Sequence, residues 1–210
     1  MYGNKSTKIL MCVALGVSLA LVIICLLWKA GIIETDLLND EFKPKGTGIE
    51  QMANSVVDHV IKKDMTDYEK YKALHDWLVN YAYYDHENVN TASQTHHNGL
   101  VLLSTKRGVC DAYSYAYQAL CHSAGLYCGV VLGKTSGGGH AWNTVMIDSV
   151  KYHVDCTWDD WENKNGDDAC YDYWLLSDET MRSYDGRSFT PQDCNSKKYE
   201  NKELPLRYNH

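Results

Sequence analysis

The chain has 210 residues, 45% of them hydrophobic, and a formal net charge of −7, which suffices for one domain with a buried core. The acidic balance argues against nucleic-acid binding, because such proteins gain affinity by neutralising phosphates with Lys and Arg, and no basic stripe offsets the charge here.

The first predicted element is a membrane anchor. From Ile9 to Trp28 no residue is charged, a run of about 20 that matches the hydrocarbon thickness of a bilayer at helical rise. Lys5 and Lys8 precede it, and Lys29 is soon outweighed by Glu34, Asp36, Asp40 and Glu41. That asymmetry predicts a short cytoplasmic tail (1–8), a single transmembrane span (9–28) and the remainder outside the cytoplasm. Trp28-Lys29-Ala30 is a poor cleavage site, and Val22-Ile23-Ile24 lacks the small residue expected beside a lipidated Cys25. Both points favour an uncleaved signal anchor. Residues 29–48, with Pro44, Gly46 and Gly48 at their end, read as a linker to a domain over 49–210.

Apolar residues at Met52, Val56, Val57, Val60 and Ile61 predict a helix over Ile49–Lys62. A second begins near Thr66, with Asp67 as its cap and Tyr68, Tyr71, Leu74, Trp77, Leu78 and Tyr81 on one face. Tyr84–Gly99 is polar and reads as a loop, followed by the short apolar run Leu100–Leu103. A helix then starts at Cys110 and stops at Gly125. Leu126–Gly133 predicts a buried strand, and Ala141–Ile147 pairs with Lys151–Thr157 across a turn at Asp148-Ser149. Helices followed by paired strands define an α+β architecture.

Of eight cysteines, Cys12 and Cys25 fall in the anchor; Cys110, Cys121, Cys128, Cys156, Cys170 and Cys194 fall outside it. An extracytoplasmic location permits disulfides, but the spacing fixes no connectivity. Cys110 stands out because a loop opens a helix there, and free N–H groups with the helix dipole favour a thiolate. Asp111 opposes this, so a nearby base must share in activation. His140 is the candidate base and Asp155 the group that orients it. If the Asp148-Ser149 turn holds an even number of residues, cross-strand partners sum to an odd number. His140 then opposes Asp155 or Thr157 and shares a face with Asp155. A carboxylate on one ring nitrogen leaves the other for the thiol. His153 has the same parity as Asp155 and is a weaker rival.

Arg107-Gly108-Val109-Cys110-Asp111-Ala112-Tyr113, His140-Ala141-Trp142-Asn143 and Tyr152-His153-Val154-Asp155-Cys156-Thr157-Trp158-Asp159-Asp160 together resemble the three motifs of the transglutaminase-like superfamily. Leu74-His75-Asp76-Trp77-Leu78, Tyr173-Trp174-Leu175-Leu176-Ser177-Asp178 and Pro191-Gln192-Asp193-Cys194 are similar to segments flanking its core, so the likeness runs from about Thr66 to Tyr199. Ala112 departs from it, since Gly is commoner there. The resemblance implies a papain-like transglutaminase core (66–180), helices packed on an antiparallel sheet, and acyl transfer through a thioester. Cys110 would be the nucleophile, His140 the base and Asp155 its orienting partner, acting on peptide or protein amides.

Hydrolysis is favoured over cross-linking because nothing marks an amine-acceptor site; a catalytically silent domain binding peptide or cell-wall ligands is the alternative. An oxyanion hole is also required, for which the Cys110 N–H, Gln94 and Asn98 are candidates. No metal or other cofactor is predicted. In the acidic stretch Asp159–Asp168, Trp161 stands where a calcium loop needs its first acid, and His96-His97 lacks a zinc spacing.

Overall fold

The computed structural model describes residues 42–89, 97–160 and 170–200. The predicted anchor, Gln94 and the acidic residues Glu162, Asp167 and Asp168 lie outside these. Among the described residues no helix is long and apolar enough to cross a membrane.

Helix α1 (Ile49–Val60) is followed by α2 (Asp67–Tyr81), both within a residue or two of expectation. The cap of α2 is Thr66 rather than Asp67. Its hydroxyl accepts from Glu69 N at 3.3 Å while the Glu69 carboxylate accepts from Thr66 N at 2.7 Å, a reciprocal box that satisfies two end donors at once. Asp67 becomes the first helical residue, where its charge suits the dipole. Tyr71, Leu74, Leu78 and Tyr81 of the predicted stripe are buried, whereas Tyr68 and Trp77 are half-buried at its margin.

The segment read as a loop contains a short strand, β1 (Tyr83–Tyr84). It pairs in parallel with β2 (Arg107–Gly108), Tyr84 opposite Gly108. The apolar run between them forms helix α3 (Gly99–Thr105), capped by Asn98. Helix α4 (Cys110–Ser123) buries Ala112, Tyr113, Ala116, Tyr117, Leu120 and Cys121, and packs against β-strands on one side and α1, α2 and α3 on others. Gly108 explains why Ala112 is tolerated: a Cβ at Gly108 would lie 2.6 Å from that of Ala112, so one of the two must be glycine.

The sheet is antiparallel in the order β3 (Cys128–Thr135), β4 (Gly138–Ile147), β5 (Val150–Val154), β6 (Trp174–Leu176). Asp148 and Ser149 both have left-handed φ, 51° and 63°, the conformation a two-residue hairpin requires. Ile147 then faces Val150 and Asn143 faces Val154, the odd-sum register anticipated above. The strand predicted to Thr157 stops at Val154. Asp155 instead caps a one-turn helix, α5 (Cys156–Asp159), accepting from Trp158 N at 3.2 Å. Helix α6 (Asp178–Ser183) leads to Tyr184–Phe189, whose Ser188 exchanges two hydrogen bonds with Lys134 at the edge of β3.

Candidate active site

The register brings His140 and Asp155 together by the diagonal of the two options. Extended formally, it sets Asp155 opposite Trp142, two residues along β4 from His140, and His140 Nε2 reaches Asp155 Oδ2 at 2.7 Å. Diagonal neighbours on one face lie within reach of a long ring. Asp155 is fully buried. Burial raises its carboxyl, but the charges of His140 and Arg187 outweigh that and hold it below the usual carboxylate range. An ionised carboxylate only accepts, so Nε2 carries a proton, and in the neutral ring the lone pair is on Nδ1.

Cys110 is the first residue of α4 and is partly exposed. Its sulfur lies against the backbone N–H of Ala141, the residue after His140. Of the three predicted residues, His140 on β4 and Asp155 at the end of β5 are bonded to each other, and Cys110 at the start of α4 meets β4 at Ala141. Burial pushes the Cys110 thiol up to about 12, the Asp111 charge adds to this, and the Ala141 N–H opposes both. Desolvation of the thiolate outweighs the helix dipole that the sequence suggested would lower it. Asp111 acts in the direction predicted. Its Oδ1 accepts from the Cys110 thiol at 3.3 Å, and Oδ2 pairs with His97 Nδ1 at 2.8 Å.

The remaining expectations have definite places. Asn98 Oδ1 accepts from Leu100 N at 2.8 Å as the cap of α3, and Asn98 lines a cavity of about 650 Å³ with His97, Tyr115 and His122. Cys110, His140 and Asp155 do not line that cavity. The rival His153 is fully committed: Trp142 Nε1 donates to its Nδ1 at 2.9 Å, and its Nε2 faces Asp178 at 2.8 Å. His153, Asp178 and Cys194 offer ligand atoms within 4.8 Å of one another. Yet Nδ1 accepts, so Nε2 bears the proton given to Asp178, and neither nitrogen is left for a metal. The six described cysteines are free thiols.

Three features escaped the sequence reading. Asp159 and Asp160, read from the sequence only as part of an acidic stretch, are buried clamps. His75 donates from Nε2 to Asp159 at 3.0 Å and from Nδ1 to Asp76 at 3.1 Å, while the Tyr113 hydroxyl donates to Asp160. Tyr113, three residues after Cys110, thus ties α4 to the residues that follow Asp155. Tyr84 was placed in a loop, but strand pairing brings it beside the start of α4, where burial and the nearby Cys110 charge raise its hydroxyl above the usual range. Arg187 lies 32 residues beyond Asp155 with no local motif, and its Nη1 donates to Asp155 Oδ2 at 2.9 Å.

Residues 54–158 match the family model of the transglutaminase-like superfamily, and the chain belongs to that superfamily. Kyphoscoliosis peptidase from Mus musculus and from Homo sapiens are each 26% identical over 117 residues, half of this chain but 18% of their own length. The chain thus spans about a fifth of the curated relatives it matches. A crystal structure of a transglutaminase aligns over 52% of this chain and 31% of its own, with 21% identity and a TM-score of 0.44. A Cytophaga hutchinsonii protein described as a candidate cysteine protease aligns over 60% and 43%, with the same identity and score.

Proposed function

We propose that this chain is a thiol enzyme that cleaves peptide or protein amides through a thioester, tethered to a membrane by residues 9–28 with its domain outside the cytoplasm. One observation carries the reading: an ionised, buried Asp155 sets the His140 tautomer on the strand whose next residue touches the Cys110 sulfur. A structural cysteine has no use for an oriented imidazole one residue along from its backbone contact. Family membership and the likeness to peptidases by name point the same way.

In this reading His140 Nδ1 takes the thiol proton as Cys110 Sγ attacks the amide carbonyl carbon. The oxyanion is held by backbone N–H groups, that of Cys110 first among them. Collapse breaks the C–N bond, the imidazolium returns the proton to the departing amine, and an acyl-thioester remains. Water, deprotonated by His140, then attacks the thioester, releasing a carboxylic acid and restoring the thiol. A lysine amine in place of water would make the same site a cross-linker. Hydrolysis is proposed because no amine-acceptor site is apparent among the described residues.

The thiol pushed up to about 12 favours one competing reading, a catalytically silent domain that binds peptide or cell-wall ligands. A peptide library incubated with and without a primary amine, followed by mass spectrometry, separates cleavage, deamidation and cross-linking. Loss of all product with Cys110→Ala is expected; retention of it would rule out the thioester, and no product from the unaltered chain would favour the silent domain.

A further inference from the structure

Arg187 is an unusual residue to find beneath the sheet. Its side chain is fully buried, and its guanidinium carbon lies 4.7 Å from the ring centre of Tyr173, 5.1 Å from Trp158 and 5.2 Å from Trp142. Nη1 is bound to Asp155, whereas Nε and Nη2 have no hydrogen-bond partner among the described residues. Taking a cation out of water costs several kcal/mol, and a buried ion pair is rarely more stabilising than apolar residues of the same volume. The aromatic faces offset part of this cost. Stability alone is therefore a poor reason for a guanidinium here.

The fold also takes trouble to deliver it. Tyr184–Phe189 is strapped to the edge of β3 by Ser188 and Lys134, with Ser136 N bound to Asp185 O at 2.9 Å. Gly133, directly opposite His140, leaves room for the strap: a Cβ there would lie 2.8 Å from Ser188 O. The strap lies beyond the residues matched by the superfamily model, which end at 158.

We infer that Arg187 is a positioning residue for the proposed reaction, holding the Asp155 carboxylate charged and turned so that its Oδ2 meets the His140 ring. The two donors share that one oxygen, at 2.9 and 2.7 Å, while Trp158 N holds the other. Three donors on its two oxygens hold the carboxylate in one orientation and favour its charged form, and His140 is confined to the tautomer with Nδ1 free. Asp178 and Asp185 carry charge on neighbouring segments, but Asp178 is bound to His153 and Asp185 to Tyr173. Arg187 acts through Asp155 and His140, so it has this role only if they and Cys110 are the reacting set proposed above.

Alkylation of Cys110 by iodoacetamide at neutral pH, read by peptide mass mapping of the full chain, tests both ideas without a substrate. His140→Ala should slow it, since the base is lost. Arg187→Met should slow it about tenfold, the scale of one charge-assisted hydrogen bond. Arg187→Lys, which keeps charge but not the planar fork, should fall between Arg187→Met and the unaltered chain. Nitrogen NMR should show the His140 proton on Nε2 in the unaltered chain and shared between nitrogens in Arg187→Met, a change that mere loosening of the fold would not produce. A folded Arg187→Met with unaltered alkylation and tautomer, beside a slow His140→Ala, overturns the role of Arg187 and leaves the site reading intact. Unchanged alkylation in His140→Ala overturns the site reading itself. Should Arg187→Met not fold, Arg187→Lys decides, and a rate equal to the unaltered chain is the refuting result.

Discussion

His75 offers a quantitative test of the frame behind the site. Both ring nitrogens face carboxylate oxygens, so the ring is the doubly protonated cation. Burial would lower its pKa, but Asp159 and Asp76 overcome this and raise it to about 9. In the unfolded chain it titrates near 6.5. A fully buried histidine so perturbed contributes about 3 kcal/mol of stability while protonated. Because the folded pKa is the higher one, that contribution vanishes as pH rises through about 9; burial raises Asp159 to about 6, so the pair is fully ionised only between those two values.

Urea unfolding at intervals from pH 6.5 to 9.5, with reductant present, measures it. The reference is the neutral pair His75→Gln with Asp159→Asn, which removes both charges and cancels the cysteines and lysines that titrate in the same window. The stability difference between the two proteins should shrink by about 3 kcal/mol across that range. A difference that stays flat would mean that His75 is neutral in the fold, and the clamp between α2 and α5 would then be an ordinary polar contact.

Three further outcomes follow from the geometry. Asp155→Asn leaves Arg187 as an uncompensated buried cation, which should cost about 3–5 kcal/mol by thermal or urea unfolding. Its amide can also donate to His140 and reverse the tautomer, so turnover should fall about ten-thousandfold; an active, fully stable variant would contradict the assigned geometry. Tyr113→Phe removes one hydrogen bond to the buried Asp160 carboxylate and should lose about 1.5–3 kcal/mol in urea unfolding. Gly133→Ala would set a Cβ 2.4 Å from Trp142 Cη2 and should cost about 1–3 kcal/mol by overpacking. Near-UV circular dichroism of the tryptophans should change with it, and an unaltered spectrum would mean that the ring moves aside freely.

Much of the site was legible before any coordinates. A two-residue turn at Asp148-Ser149 and the period of two in a strand sufficed to put His140 and Asp155 on one face, and the observed register obeys that parity. The helix beginning at Cys110 followed from its apolar spacing and Gly125. What period-two reasoning missed was where β5 would end. The Asp155 side chain captures Trp158 N and starts a helical turn, a local competition between side chain and ladder that the apolar pattern does not record.

Residue order alone also determined that a thiol, an imidazole and a carboxylate occur with family-like spacing, because spacing along a helix or strand is a local property. Tertiary structure decided which groups surround them. Arg187, Tyr84, and the His75–Asp159 and Tyr113–Asp160 clamps join elements far apart in the chain, and such pairings depend on how the sheet, the helices and the 184–189 strap pack. The energy of the site follows from that packing: the same Cys110 that a helix terminus would acidify is made a weaker acid by the burial and the Asp111 charge that the fold imposes.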